Sequence, residues 1–368
     1  MKVICDRGAL VEALNLVTGV VNVRTPKPVL ACVKLTAEGT TLTLTATDGD
    51  TDLTLATARV EVQEPGVALV PVDKLTAIVR ESIDATLTLS VEQDVATITG
   101  QDSRFKVFGF PAGDFPSVGT FSGDADFEVQ AGDLHRLIAL TIFATARENS
   151  RYAINGVLFE REGNKLAVVA TDGHRLALAR GSCKATKGDG KTAQAIVPTK
   201  ALNLLLRLFS DGEQVVRVKI ADSHMLFATD DATLSSKLVE GNFPPYKDVI
   251  PKDQDRKATL ATDVLISALR RAALLTNEES RGVRLAFSGE GVTLTSRAPE
   301  MGEAEVNAAV AEYAGEPIDI GFNPAYLLDA LKVIDEDKVT LEMKAANKPS
   351  ILKTTNNFLY VVMPVNLQ

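Results

Sequence analysis

The residues best suited to chemistry are few and scattered. Asp172 and His174 stand two apart in "VATDGHRLA" (169–177), a pairing able to do acid–base work. No Ser or Cys nucleophile elbow accompanies them, so a hydrolase built on this pair lacks a complete catalytic set. "DGDTD" (48–52) spaces Asp48, Asp50 and Asp52 as a calcium loop does. That loop requires Gly at its sixth position and Glu at its twelfth, and here those are Leu53 and Arg59, so the segment reads as a solvated hairpin tip. "ATKGDGKT" (185–192) ends like a phosphate-binding loop, but Ala185 replaces its first glycine and the strand-like "AQAIVP" follows. A helix must follow there to cradle phosphates. His135, His174 and His224 are too dispersed to ligate a metal. Cys5, Cys32 and Cys183 contain no CxxC pair and read as reduced, buried small residues. No metal or cofactor is implied, and the chain reads as a non-enzyme.

The elements that carry these residues repeat. The tetrapeptide Ala-Thr-Asp-Gly occurs at 46–49 and again at 170–173, and Asp-Gly suits a tight hairpin needing positive φ. "ALVPVDKLTAIVRESI" (68–83), "AIVPTKALNLLLRLFS" (195–210) and "IGFNPAYLLDALKVID" (320–335) share one plan: apolar strand, proline break, amphipathic helix. Their prolines are Pro71, Pro198 and Pro324, spaced by 127 and 126. Phe115 and Phe243 sit in matching "DFP" and "NFP" turns. Three further helices, each led by an Asp-containing turn, open the copies at "DRGALVEALNLVTGVV", "QAGDLHRLIALTIFATA" and "LATDVLISALRRAALLT". Alternating segments such as "TLTLTATDG" (41–49), "TLTLSVEQD" (86–94) and "KVTLEMK" (338–344) read as strands. In the third copy "VTLTSRAPEMGEAEV" takes the hairpin slot without the tetrapeptide.

A period near 125 residues has the size of a domain. The expectation is therefore three tandem α+β domains at 1–124, 125–253 and 254–368. With strands outside and helices along one face, three copies would form an arc.

Composition bounds the function. The chain has 368 residues, 45% of them hydrophobic and 24% charged, and a formal charge of −9, which argues against avid electrostatic binding to nucleic acid. It has no Trp and only 5 Tyr, too few for the stacking platforms that bind single strands. No apolar run approaches the roughly 18 residues of a membrane span. Asp6 and Arg7 stand where a signal peptide would have its apolar core, which predicts a cytoplasmic protein without membrane attachment.

"YAINGVLFE", "ATDGHRLALA", "VPTKAL", "SSKLVEGNFPPYKDVIP" and the terminal "YVVMP" together resemble the bacterial DNA polymerase III β subunit family, end to end and in order. The resemblance implies an α+β fold of three DNA-clamp domains. Helices line the inside of a ring and sheets its outside, and the ring is a head-to-tail homodimer around double-stranded DNA. A closed ring holds DNA by topology, which reconciles encirclement with a charge of −9. The implied partners are the polymerase III α subunit, the clamp-loader δ subunit, other polymerases and mismatch-repair proteins. They insert a short peptide, typically with a Gln and a terminal Leu-Phe pair. A ring-like scaffold paralogue without a replication role is the alternative.

The resemblance also implies sites. The partner-peptide pocket maps to Ile154, Thr171, Gly173, His174, Arg175, Leu176, Pro244 and Val249, with the tail Val361, Val362, Met363, Pro364, Val365, Asn366 and Leu367. His174 and Arg175 are expected to satisfy polar atoms of the peptide. Diffuse DNA contacts are expected from Arg24, Arg80, Arg147, Lys200, Arg207, Arg270, Arg271 and Lys332. The helix at 263–275 buries Leu265, Ala268, Leu269 and Ala272 in this reading and turns Arg271 outward. Leu274, near its polar side, is expected with Leu275 at the dimer seam against the partner's Ile78, Phe105 and Val107. Lys74 and Arg104 would meet Glu300, Glu303 or Glu305 at the rim. The tail departs from the family's usual Met-Arg-Leu or Leu-Arg-Leu, reading Val365-Asn366-Leu367-Gln368. Asp248 replaces a frequent Arg, and Ala153 a common aromatic beside Tyr152; the rim thereby loses positive charge.

Overall fold

The computed structural model describes residues 1–146, 153–186, 192–209, 212–276, 282–299 and 301–366. Among them run six α-helices: α1 (Arg7–Thr18), α2 (Val72–Glu81), α3 (Ala131–Ala139), α4 (Thr199–Leu208), α5 (Thr262–Ala272) and α6 (Pro324–Leu331). Their starts follow from local chemistry. The Asp6 carboxylate accepts the Ala9 N–H at 2.8 Å and caps α1. Asn323 does the same for Ala325 at 3.0 Å, with Pro324 in the first helical position. Asp133 and Asp263 lie inside the first turns of α3 and α5, where they complement the helix dipole. The expected helix at 263–275 ends at Ala272, and Ala273–Leu275 continue as a 3₁₀ turn. Leu265, Ala268, Leu269 and Ala272 are all buried, as their spacing predicts.

The described strands form four antiparallel sheets of five, nine, nine and four strands. The three sequences expected to be strands are strands, at Thr41–Thr47, Thr86–Glu92 and Lys338–Met343. The segment after "GKT" is also a strand, Thr192–Pro198; the loop itself lies outside the described residues.

The chain packs as two compact units, one made of Met1–His135, Cys183–Asp189 and Lys200–Leu238, the other of Arg136–Ser182, Gly190–Thr199 and Val239–Gln368. Sequence repeats and spatial units therefore divide the chain differently. Within the first unit, Ala232–Lys237 of the second copy pairs with Thr51–Thr57 of the first. Within the second, Arg175–Ser182 of the second copy pairs with Phe358–Val362 of the third. Each nine-stranded sheet is thus continuous across two copies, and the middle copy contributes strands to both. Cys5, Cys32 and Cys183 are all buried, and burial pushes the thiols of Cys5 and Cys32 up to about 12 and about 11.

Candidate functional site

The second Asp-Gly hairpin is built by its own side chains. Gly173 adopts φ +89°, the conformation that favours glycine. The Thr171 hydroxyl accepts the Gly173 N–H at 3.1 Å and donates to the Arg175 carbonyl at 2.6 Å. Asp172 Oδ1 accepts the N–H groups of His174 and Arg175 at 2.9 and 3.0 Å. The chain's last described strand joins this hairpin: Val361 lies opposite Leu176, and Val362 opposite Arg175. Beyond the strand, the Met363 N–H donates to the His174 carbonyl at 2.9 Å and the Val365 N–H to that of Gly321 at 2.9 Å. The tail is therefore tied down on both sides.

Beneath the hairpin Leu176 and Val361 belong to an apolar cluster with Ala153, Leu158, Val169, Leu178, Ile196 and Tyr246, and Phe243 and Ile250 pack against it. At the end of the hairpin His174 and Met363 stand exposed, Met363 at 41%; Val249, bonded through its N–H to the Tyr246 carbonyl, is 55% exposed. His174 stacks on Tyr326 with ring centroids 6.4 Å apart. The result is an exposed surface with a dry floor and adaptable sulfur, imidazole and aliphatic groups at its edge. A cleft of about 490 Å³ runs on from Met363 along the tail, lined also by Arg284, Asp319, Gly321, Asn347 and Val365.

Two pocket expectations need correction. Arg175 is not free to serve a ligand: its side chain donates to Asp172 at 2.9 Å, to Asp329 at 2.8 Å and to the Phe143 carbonyl at 3.0 Å. Its guanidinium also lies over the rings of Tyr326 and Phe143, at 4.5 and 5.6 Å. Burial alone would lower its pKa, but the hydrogen bond to Asp329, with Tyr360 and Asp172 nearby, outweighs burial and raises it, so it is a fixed cation that holds the hairpin. Val362, fully buried, faces the opposite side of the sheet from Val361, because side chains alternate along a strand. Ile154, Thr171 and Leu176 are buried, Pro244, Pro364 and Val365 half-buried, and Gly173 and Asn366 exposed. Leu367 lies outside the described residues.

Residues not expected from sequence complete the site. Tyr326 and Asp329 project from α6 one turn apart, and both reach Arg175. Their i, i+3 spacing in "NPAYLLDAL" was the available signal. Glu160, only 7% exposed, accepts from Tyr246 Oη at 2.9 Å and Lys247 Nζ at 2.7 Å, and also from Gln194. Burial raises its pKa, but these donors outweigh burial and leave it below the usual carboxylate value.

The expected DNA-facing cations differ in freedom. In the first unit Arg80 donates to Asn15 Oδ1 at 2.8 Å, and Arg207 donates to the Asn15 carbonyl, so both tie their helices to α1. α4 approaches so closely that a Cβ on Gly19 would lie 2.6 Å from Leu204 and 2.8 Å from Arg207. Lys200 donates to the Val20 carbonyl at 2.7 Å and pairs with Asp48. Arg24 stands exposed on the loop after α1. In the second unit Arg270 and Arg271 are exposed on α5, Arg271 bonding back to the Ser267 carbonyl at 3.3 Å, and Lys332 lies 3.9 Å from Asp329. Arg147 lies outside the described residues.

The seam residues fall on two sheet edges, one in each unit. In the first, Arg104–Phe108 is an edge strand, with Phe105 41% exposed, Arg104 exposed and Ile78 half-buried on α2. Val107 instead faces its own core at 8% exposure, and the larger exposed groups are Phe108 at 78% and Ile83 at 84%. Lys74 stands 3.4 Å from Asp73. In the second unit Gly302–Ala308 is an edge strand; Leu274 is 73% exposed, and Leu275 is half-buried beside Gly302. Glu303 pairs with Arg297 at 3.1 Å and Glu305 is exposed. Glu300 lies outside the described residues. Among the described residues no cluster of His, Cys, Asp or Glu is placed to hold a metal, and no helix is long and apolar enough to cross a membrane.

Comparison with known proteins matches three successive family models: DNA polymerase III beta subunit, N-terminal domain (residues 1–119), central domain (128–245) and C-terminal domain (247–366). The beta sliding clamp of Pseudomonas putida is 38% identical over 365 residues, 98% of this chain and 99% of the relative. That of Escherichia coli K12 is 34% identical over 371 residues and covers both chains fully. Among solved structures, the DnaN sliding clamp of Pseudomonas aeruginosa bound to griselimycin superposes with a TM-score of 0.93 at 36% identity, over all of both chains. The Bacillus subtilis polymerase sliding clamp does so at 0.92 and 26% identity, again over all of both.

Proposed function

The chain belongs to the DNA polymerase III beta subunit family, the beta sliding clamps, and from that premise we propose that it is a DNA sliding clamp, a processivity factor rather than an enzyme. Three clamp domains, divided near residues 124 and 253, make up each protomer, and two protomers close head to tail around double-stranded DNA in the cytoplasm. The ring holds the duplex by topology, so the net charge of −9 is no obstacle, and exposed Arg24, Arg270 and Arg271 offer loose phosphate contacts that do not arrest sliding. The two unpaired edge strands, each beside exposed apolar side chains, are the surfaces that closure would cover.

The observation that carries the tethering role is the junction of the second hairpin with the tail. His174, Met363 and Val249 stand exposed, Leu176 and Val361 belong to an apolar cluster, and backbone bonds hold the tail against the hairpin. A fixed apolar surface of this kind suits a short peptide with terminal apolar residues, presented by the polymerase α subunit, the clamp-loader δ subunit or repair proteins. The test is retention on circular duplex DNA after loading by a cognate clamp loader. Retention on the circle, lost when the circle is cut, is expected; equal loss from both forms would overturn encirclement.

A further inference from the structure

Glu160 is an unusual residue to find beneath an apolar surface. It lies on the strand Gly156–Glu162 directly opposite Gln194, and its carboxylate collects three donors. Oε1 accepts from Tyr246 Oη at 2.9 Å and Lys247 Nζ at 2.7 Å, and Oε2 accepts from the Gln194 amide. Tyr246 and Lys247 are consecutive residues of the 3₁₀ turn Tyr246–Asp248. That turn is short and has no side-chain cap, so little within the segment fixes its position. It is flanked by Pro244, half-buried, and Val249, exposed, two of the three groove residues that come from outside the hairpin and the tail, buried Ile154 being the third.

The Tyr246 ring, 5% exposed, sits in the same apolar cluster as Leu176 and Val361 and meets Phe243 edge-on at 6.5 Å. One end of this side chain therefore packs against the groove floor while the other bonds to Glu160. The Lys247 ammonium lies 5.6 Å from the Tyr246 ring centroid, so both donors approach the carboxylate from one side. A buried carboxylate is costly unless it is fully paired, and moving the turn outward would break two of the three partners at once. The pairing thus resists displacement of the turn.

We propose that Glu160 is a positioning residue for the partner-peptide groove, fixing through Tyr246 and Lys247 the turn that carries Pro244 and Val249. This rests on the reading of the hairpin–tail junction as a peptide site. The test uses the full chain and a synthetic peptide with an internal Gln and a terminal Leu-Phe pair. Affinity is measured by calorimetry for the parent chain, Glu160→Gln and Tyr246→Phe, alongside amide exchange in the free protein. Each substitution is expected to weaken the peptide about tenfold. Each should also speed exchange of the Val249 amide, which donates to the Tyr246 carbonyl at 3.3 Å, while leaving exchange in Gly156–Glu162 unchanged. If Glu160→Gln fails to fold, Tyr246→Phe, which keeps the other two donors, decides alone. Unchanged peptide affinity in a folded variant would overturn the positioning role, as would faster exchange across the whole sheet with no local change at Val249. Failure of the parent chain to bind the peptide would instead overturn the groove reading itself.

Discussion

Truncating Arg175 to Ala isolates the link between the hairpin and α6. The guanidinium donates to Asp172 and Asp329 and to the Phe143 carbonyl, and its side chain is 10% exposed. A hydrogen bond to a charged group contributes about 1.5–3 kcal/mol, and the Asp172 bond, with that carboxylate 15% exposed, belongs in this range. The Asp329 bond deserves less, since Asp329 is 36% exposed and solvent screens it. Loss of the contacts with Tyr326 and Phe143 adds about 1 kcal/mol. Non-additivity and water entering the gap reduce the total, so the expected loss is about 4 kcal/mol. Arg175→Lys should recover less than half of this, because a point charge cannot span two carboxylates and a carbonyl. The assay is urea unfolding followed by tyrosine fluorescence. The four described tyrosines, Tyr246, Tyr313, Tyr326 and Tyr360, fall in the second unit, and the chain has no Trp. A loss below about 1 kcal/mol for Arg175→Ala would refute the view that this residue is the hairpin's anchor.

Ala at Gly49 or Gly173 meets no atom within 4 Å, so each substitution costs only backbone strain at φ +98° or +89°, about 1–2 kcal/mol. Each should lower the urea midpoint followed by far-UV circular dichroism, which reports both units, but only Gly173→Ala should weaken the peptide; calorimetry giving equal affinities for the two variants would contradict the assignment. Asp48, Glu160, Glu336 and Glu342 all have folded pKa values depressed by hydrogen-bond donors despite burial. Their contribution is therefore full above the ordinary carboxylate values of 3.8 and 4.5 and is lost as pH falls through the depressed ones. These groups should leave urea midpoints unchanged between pH 7 and pH 5.5 and lower them below about pH 4; the fall below pH 4 should be smaller in Glu160→Gln, and an identical fall would remove Glu160 from the set.

Local features were legible in the sequence because local chemistry decides them. The helices start at Val72, Thr199 and Pro324, beside the prolines that announced them. Both Asp-Gly turns have glycines at positive φ, and the apolar spacing on α5 predicted its buried face. What lay hidden depends on distant partners. Arg175 looked available in "ATDGHRL" because Asp329 is 154 residues away and Phe143 is 32 residues away. Val361 and Val362 look equivalent in "YVVMP", yet strand alternation sends only one toward the groove floor. Phe108 was passed over for Val107 because which face of an edge strand is buried depends on the neighbouring strand. The division of the middle copy between two units rests on pairing across copies, which a repeat period does not encode.

The two hairpins share one construction but differ in the strand that follows the turn. In each, the Thr hydroxyl accepts the Gly N–H, and Asp Oδ1 accepts the next two N–H groups. In each, the other carboxylate oxygen holds a cation, Lys200 in the first and Arg175 in the second. Even the bond to the crossing strand recurs: Lys237 N–H to the Asp50 carbonyl at 2.8 Å matches Met363 N–H to that of His174 at 2.9 Å. The difference lies two residues further on. Where the second hairpin sets Leu176 opposite Val361, the first sets Asp52 opposite Ser235. Asp52 accepts the Thr47 hydroxyl at 2.5 Å and the Gly119 N–H at 2.8 Å. Gly119 packs so tightly there that a Cβ would lie 2.6 Å from Ser235 Oγ. The chain's own backbone thus packs on Asp52, whereas Leu176 and Val361 are packed by apolar side chains, Tyr246 among them. An apolar peptide placed there would have to displace that backbone and bury a carboxylate deprived of its donors, a cost of several kcal/mol. On the reading of the second hairpin as the peptide site, the apolar pair Leu176 and Val361, against Asp52 and Ser235 in the first, distinguishes the copy proposed to receive a partner.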